Sequence, residues 1–433
     1  MKDSASSTEA TLKRAIRRER PRETSEIFQS TKQTSSLNKA FSISNDFIPY
    51  TYPCPFLASQ SNSFIKMSRN SAAWLLAPKQ RFQVKEAPFP TPGPDEIVVK
   101  NRAVAVNPID WVLRDQGTSM AFGWIKYPFI FGSDVAGEVV QVGSKVVRFK
   151  EGDRVLGHAH STDKKFNNSA YGGFQNYTIL IERNSSPIPD TMSFESASVL
   201  PLAFTTAAAG LFEKDQLGLQ YPQVNPKPTG KTILIWGGSS SVGCNAIQLA
   251  VAAGYEVIST CSPNNFDLLK SLGASEVFDY KDPAVDSKIA KVMEGRTSAG
   301  AVAIGEDSIF HCLDALRSCK GDKHIAMATY PIPAQPGRFA ALEIGYSFAT
   351  AMISITAKSK LRGIKTSFIW GSVAHSPVGE AVYAKYLPEA LASGKFRAAP
   401  EPLVVGEGLE AIQGALDMQK KGVSAKKVVV SLK

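Results

Sequence analysis

Apolar and polar residues are arranged in three different textures along this chain. Residues 1 to about 68 are rich in Ser, Thr, Arg and Lys and hold neither a twofold nor a 3.6-residue period, which predicts a disordered extension with, at most, a short basic helix at "TLKRAIRRER". From Ala72 the texture changes. "FQVKEAPFPTPGPDEIVVKNRAVAVNPID" places strand-like runs around a Pro/Gly turn, and "VAGEVVQVGSKVVRFKEGDRVLG" gives short strands punctuated by Gly137, Gly143, Gly152 and Gly157. Such a series predicts an all-β barrel or compact sandwich. After Gly230 strands and helices alternate: strand 232–236, helix 242–253, strand 256–260, helix 264–272, strand 276–279, helix 284–294, strand 300–304, helix 308–318, strand 324–329. This alternation predicts an α/β domain with a doubly wound parallel sheet. The chain then ends on strand, helix and strand, with Ala411, Ile412, Ala415, Leu416 and Met418 on one helical face, pieces that could close the barrel.

One strand-turn-helix stands out: "TILIWGGSSSVGCNAIQLAVAAGYEVISTCSPNNF", Thr232 to Phe266. In the dinucleotide fingerprint G-x-G-x-x-G the first glycine makes the turn, the second lets the backbone approach a pyrophosphate, and the third allows close packing of helix on strand. Gly238, Ser240 and Gly243 take those places. A β-carbon at Ser240 would crowd a phosphate, so either the cofactor sits farther out or the hydroxyls of Ser239, Ser240 and Ser241 take over contacts, helped by the amino end of the helix beginning near Val242. A plain Gly/Ser turn is the alternative. At the end of the second strand stand Thr260, Cys261, Ser262, Pro263, Asn264 and Asn265, with no acid to hold the 2′-hydroxyl of NAD. Ser262, Asn264 and Asn265 suit a 2′-phosphate, so NADPH is expected over NADH. Tyr280 ends the third strand, where a side chain either faces the cofactor crevice or packs into the core.

Composition narrows the remaining classes. The chain is 43% hydrophobic and 20% charged over 433 residues, enough for two domains. Its net charge is +10, but ten Lys/Arg against six Asp/Glu lie in residues 1–66 and the rest is spread thinly, with basic pairs such as Lys426-Lys427 the longest tracts after residue 70. No nucleic-acid partner is expected from that distribution. No apolar run approaches the ~18 residues of a membrane span, so a soluble, cytoplasmic protein is expected. The acids Asp3, Glu9, Glu19, Glu23 and Glu26 are many for a transit peptide, so a dispensable tail or a start at Met67 is the first reading of the extension and a targeting role the alternative. Cys54, Cys244, Cys261, Cys312 and Cys319 show no C-x-x-C spacing, which argues against a disulfide framework.

A β-rich domain before a dinucleotide domain resembles the medium-chain dehydrogenases, many of which hold zinc. Here the absence of cysteine between Cys54 and Cys244 excludes their four-cysteine structural lobe, their Gly-His-Glu motif appears as Gly132-Ser133-Asp134, and their cysteine position is Asn107. His158 and His160 in "LGHAH" lack a third ligand, so no metal is expected. The motifs "NPID", "FGSDVAGEVVQVG", "GDRVLG", "GGFQNYT", "LPLAFTTAAAG", "GGSSSVG", "TCSPNNFDLLKSLGA" and "VFDY" together resemble the zinc-independent reductases of the quinone oxidoreductase type, nearest to fungal CipB-like oxidoreductases and trans-acting enoyl reductases, over Ala72 to Lys433.

That resemblance implies a GroES-like barrel from 69–201 completed by 373–433, around a Rossmann domain at 202–372. It implies NADPH at Gly238, Ser239, Ser240, Ser241, Val242 and Gly243, at Ser262 to Asn265 and at Tyr280, with nicotinamide and substrate contacts at Asn107, Pro108, Ile109 and Asp110, around Thr206, and near Val423 and Ser424. Two departures weaken any transfer of substrate. Relatives often place a lysine where Val112 stands, and the strand "AVAIG" lacks an aspartate usual among them.

The expected chemistry is hydride transfer from NADPH to the β-carbon of an enoyl or enone substrate, small or carrier-bound, with charge arriving on the carbonyl oxygen. Without zinc, donors must meet that charge. The candidates are the Asn107 amide and the Thr206 hydroxyl, with Tyr171 as proton donor; Asn107 as a turn residue and Thr206 as a helix cap are the plain alternatives. The loop "WGSVAH", Trp370 to His375, would border the substrate, with Trp370 either lining it or simply packing. Quinone reduction of a detoxification type, or NADPH binding without catalysis, are the other functional readings. A monomer or homodimer is expected, with a polyketide synthase as a partner the resemblance allows.

Overall fold

The first part of the chain is a barrel built from β1 (Asn70–Leu75), β2 (Gln83–Ala87), β3 (Glu96–Ala105), β4 (Phe129–Ile130), β5 (Asp134–Val142), β6 (Arg154–His158), β7 (Tyr177–Ile181) and β8 (Ser185–Pro187). This is a computed structural model, describing residues 69–118, 122–329 and 340–433; the extension expected over residues 1–68, with Cys54 and Met67, lies outside the described residues. The strands fall in two sheets, β2-β1-β4 and a larger one in the order β3-β5-β6-β8 with β7 also on β3, and alternating side chains fill the space they enclose: Ile97, Val99, Val135, Val139, Val155 and Leu180 pack with Phe131 and Phe174.

β9 (Lys231–Trp236), β10 (Glu256–Cys261), β11 (Glu276–Asp279), β12 (Thr297–Ala303), β13 (Lys320–Met327) and β14 (Lys365–Phe368) form a six-stranded sheet. Its order is β11-β10-β9-β12-β13-β14, and each neighbouring pair is parallel. Runs such as "TILIW" are apolar on both faces because helices cover both. One face packs on helices Pro201–Phe212 and Ser241–Ala252, the other on helices Val285–Glu294 and Ser308–Ala315. The strand order reverses between β9 and β12, and it is outside the carboxyl ends of the strands at such a reversal that open parallel sheets place their ligand crevice.

β15 (Glu401–Glu407) and β16 (Lys426–Ser431) return to the first sheet, β16 lying antiparallel to β3 in the register Val429 to Ala105. The intervening helix Ile412–Lys421 buries Ile412, Ala415 and Leu416, but Met418, expected on that face, is 39% exposed. The helix expected over 264–272 is shorter, Phe266–Ser271, because Pro263–Asn265 winds as a separate 3₁₀ turn. The strand expected at 324–329 starts four residues earlier, at Lys320. The expectation about apolar length also needs correction. The segment Phe194–Phe212 has the length and hydropathy of a membrane span, its 18-residue window 72% buried inside the fold. It is two helices, Phe194–Ser198 and Pro201–Phe212, and the second is a core element between barrel and parallel sheet.

Candidate active site

β9 ends at Trp236, and the chain turns sharply at Gly237, whose φ of +82° is left-handed. A Cβ there would also lie 2.5 Å from the Ile304 carbonyl oxygen, so the tight turn falls one residue before the Gly238 that the fingerprint suggests. Gly238 and Gly243 serve close packing instead: their Cβ atoms would lie 2.1 Å from Ser259 Oγ and 2.3 Å from the Gly237 carbonyl oxygen.

Ser240 is the N-cap of helix Ser241–Ala252. Its Oγ accepts the Gly243 N–H at 3.0 Å while its O–H donates to the Gly237 carbonyl at 2.8 Å. This hydroxyl is turned into the helix and is not an outward donor, as the sequence reading allowed for it. Ser239 and Ser241 remain partly exposed. The N–H groups of Ser241 and Val242, in the first turn, have no acceptor among the described residues. A glycine-built cradle closed by free N–H groups at a helix amino end fits a dinucleotide pyrophosphate.

Farther along the crevice, Ser262 follows β10. The Asn265 Nδ2 lies 3.5 Å from both the Ser262 and the Ser424 hydroxyl oxygens, so the loop before β16 closes over the end of β10. Asn264 and Ser424 are exposed, and Val423 packs partly against the barrel core. Tyr280, just past β11, is 45% exposed, with Lys281 Nζ 5.8 Å from its ring centre; it is not a core residue.

On the barrel side, Asn107 caps helix Pro108–Gln116, directly after β3. Asp110 reaches back so that its Oδ2 accepts the Asn107 N–H at 2.8 Å. The Asn107 side chain points elsewhere: Nδ2 donates to Asp134 Oδ2 at 2.8 Å, and Oδ1 accepts from Lys427 Nζ. Lys427 Nζ is 2.9 Å from Asp134 Oδ2, and Asp134 Oδ1 accepts the Leu202 N–H at 2.6 Å. All four side chains, Asn107, Asp110, Asp134 and Lys427, are buried. Burial raises the Asp110 carboxyl to about 7, with the Asn107 N–H pulling the other way, Asp134 adding to the rise and Lys427 opposing it. Asp110 is thus turned inward, behind Pro108 and Ile109, which stay exposed and partly exposed.

Lys427 escaped the sequence reading, which saw only a basic pair. The signal was there: two adjacent lysines on a strand face opposite ways, so one of them must point inward. Lys426 faces Glu401 on the outside. The β16 register against β3 then brings Lys427 opposite Asn107.

The other candidates do not join this cluster, although two of them border the loop Trp370 to His375: Thr206 at Gly371, and Tyr171 through Phe166, whose ring centre is 5.0 Å from that of Tyr171 and 5.4 Å from that of His375. Thr206 sits in the second turn of helix Pro201–Phe212 and donates its hydroxyl to the Leu202 carbonyl at 2.8 Å, so it is neither a cap nor a free donor. It still borders the expected substrate loop, since a Cβ on Gly371 would lie 2.9 Å from its Oγ1. Tyr171 donates to Glu96 Oε1 at 2.7 Å; Glu96 begins β3, whereas Asn107 follows its other end. Burial first, then the Glu96 carboxylate, push the Tyr171 phenol well above its usual range, so this tyrosine holds its proton. His158 and His160 do lie together, ring centres 4.2 Å apart, and burial pulls His158 down to about 3 and His160 well below the imidazole range. Trp370 is 51% exposed and packs at 5.7 Å on Phe122, across from the barrel.

Residues 93–190 match the model of the alcohol dehydrogenase GroES-like domain. Over 370 residues the chain is 53% identical to the dehydrogenase pigH of Monascus ruber, covering 84% of this chain and all of that one. It is 40% identical to the trans-enoyl reductase himH of Aspergillus japonicus, over 84% of this chain and 97% of the relative. Among solved structures, mycobacterial Rv1454c complexed with NADPH has the same fold, with a TM-score of 0.59 and 21% identity over 84% of this chain and all of that one. A GroES-like barrel, a parallel sheet in dinucleotide-binding order and full-length similarity to such relatives agree: the chain belongs to the medium-chain dehydrogenase/reductase family of nicotinamide-dependent oxidoreductases, among its fungal dehydrogenases and trans-enoyl reductases.

Proposed function

We propose that this protein is an NADPH-dependent, zinc-independent reductase of an activated carbon–carbon double bond, enoyl or enone, in secondary metabolism. The observation that carries the reading is the group Asn107, Asp134 and Lys427. At the positions where metal-dependent relatives hold zinc, the donors are a carboxamide, the Ser133 hydroxyl and one carboxylate, and the Asn107 oxygen and Asp134 Oδ2 both face the Lys427 ammonium. A site already holding a cation against its two oxygens does not fit a zinc ion. The preference for the phosphorylated cofactor rests on Ser262, Asn264, Asn265 and Ser424, a neutral hydroxyl and amide set without a carboxylate.

A reduced nicotinamide held by the Gly237–Gly243 turn, the Ser241 and Val242 N–H groups and the Ser262–Asn265 loop would supply the hydride for the β-carbon, the alkene π electrons passing to the carbonyl oxygen and a proton from solvent completing the α-carbon. What the chain contributes is orientation and charge. The Asn107 carboxamide donates to the oxygen as it becomes negative. The purified protein should oxidise NADPH in the presence of enoyl thioesters or enones and bind it more tightly than NADH. Turnover with quinones alone would overturn the enoyl reading in favour of quinone reduction, and stoichiometric zinc in the purified enzyme would overturn the metal-free one.

A further inference from the structure

We infer that Lys427 is a positioning residue for the reduction proposed above: together with Asp134 it locks the Asn107 carboxamide in one orientation, so that the remaining Nδ2 proton is presented to the substrate oxygen. A carboxamide can rotate by half a turn and exchange its donor and acceptor ends. Here it cannot. A carboxylate only accepts and an ammonium only donates, so Nδ2 must face Asp134 and Oδ1 must face Lys427. The Asn107 backbone is held as well, through its N–H to Asp110. Of the two Nδ2 protons one goes to Asp134, and beside the same side chain lies the Asp110 carboxyl, which burial keeps protonated up to about pH 7 and so leaves the second N–H without a full carboxylate to bind. An ammonium on the amide oxygen also draws electron density from the nitrogen, which makes that second N–H a better donor. The clamp exists only when the chain is complete to β16, because Lys427 comes from the last strand and Asn107 from the end of β3.

This inference rests on the enone-reductase reading, so its test has one arm that needs turnover and one that does not. In the first, Lys427→Met, Lys427→Arg, Asn107→Ala and the Asn107→Ala/Lys427→Met double variant are compared by kcat, KM for an enone and Kd for NADPH. Lys427→Met should lower kcat about 100-fold, the scale of a lost transition-state donor, with KM and Kd little changed, and Lys427→Arg should recover part of the loss. In the Asn107→Ala background the lysine substitution should cost nothing further. Losses that multiply, or an NADPH Kd that rises in step with the fall in kcat, overturn the clamp. Because Lys427→Met leaves Asp134 unpaired, Asp134→Asn/Lys427→Met serves as a charge-balanced control; full activity there would mean that the lysine only neutralises Asp134, and continued low kcat supports the clamp.

In the second arm the protein is labelled with ¹⁵N-asparagine, and the Asn107 side-chain amide resonance is assigned by its loss in Asn107→Ala. Its shift should move in Lys427→Met and stay near the parent's in Lys427→Arg; an unmoved resonance in Lys427→Met overturns the inference. If the parent enzyme reduces no enone, the functional reading fails by itself, and this resonance still decides whether the clamp exists.

Discussion

Asp134 Oδ1 accepts the backbone N–H of Leu202 at 2.6 Å, joining the first residue of β5 to the start of the helix that passes between barrel and parallel sheet. Its other oxygen receives both Asn107 and Lys427. One carboxylate therefore ties four chain segments, and removing it leaves the Lys427 ammonium buried without a counter-charge. Asp134→Ala should destabilise the fold by about 3–5 kcal/mol, the range for breaking a buried ion pair from one side. Urea denaturation followed by tryptophan fluorescence would read it, and a midpoint equal to the parent's would contradict the reading.

Asp110 gives the fold a pH dependence of known sign. Burial holds its carboxyl at about 7 in the folded protein against an ordinary 3.8. Below about pH 4 it is protonated in both states and costs nothing. As pH rises from there to about 7 the unfolded chain loses the proton that the folded one keeps, so this group's contribution to stability falls through that window and levels off above it. Asp110→Asn should flatten that slope relative to the parent. Urea midpoints measured across the window for both proteins test it; parallel curves would refute the assignment.

Ser240 caps its helix with a hydroxyl already bonded to Gly237 and Gly243, and two substitutions separate that role from phosphate binding. Ser240→Ala removes the acceptor for the Gly243 N–H and should cost about 0.5–2 kcal/mol, whereas Ser240→Gly should cost only a few tenths. Neither should weaken cofactor binding by more than the small change that a loosened first turn produces. A large loss of NADPH affinity in both variants, seen by cofactor fluorescence, would restore the hydroxyl to the phosphate site.

Tyr171→Phe should leave kcat and its pH profile at parental values, because the phenol is bound to Glu96 at the far end of β3 from Asn107. Stability should drop by the ~1 kcal/mol of a lost hydrogen bond, somewhat more because the acceptor is a carboxylate. Steady-state kinetics with the enone decides, and a collapse of kcat would make Tyr171 a proton donor after all.

Much of the architecture was readable along the chain. The switch from alternating to block-apolar runs near Gly230 marks where a sheet with one side on a barrel core gives way to one covered on both faces, and local burial demand writes that directly into residue order. The glycines around Ser240 were equally legible, although their division of labour was not: Gly237, which carries the left-handed turn, also lies against Ile304 just past β12, a neighbour that only the folded chain supplies. The same holds more strongly for chemistry. Asn107 could be singled out by its place in "NPID", but as a turn residue or a donor alike, and Tyr171 offered a proton from a Ser/Gly loop whose orientation the residue order does not give. What separated them is the pairing of β16 with β3, which delivers Lys427 across more than three hundred positions of chain to Asn107, and the run of β3 itself, which carries Glu96 and Tyr171 to its opposite end. Periodicity and turn chemistry are properties of neighbours in the chain; a buried ion pair is a property of strand register between segments far apart, and no local pattern encodes it.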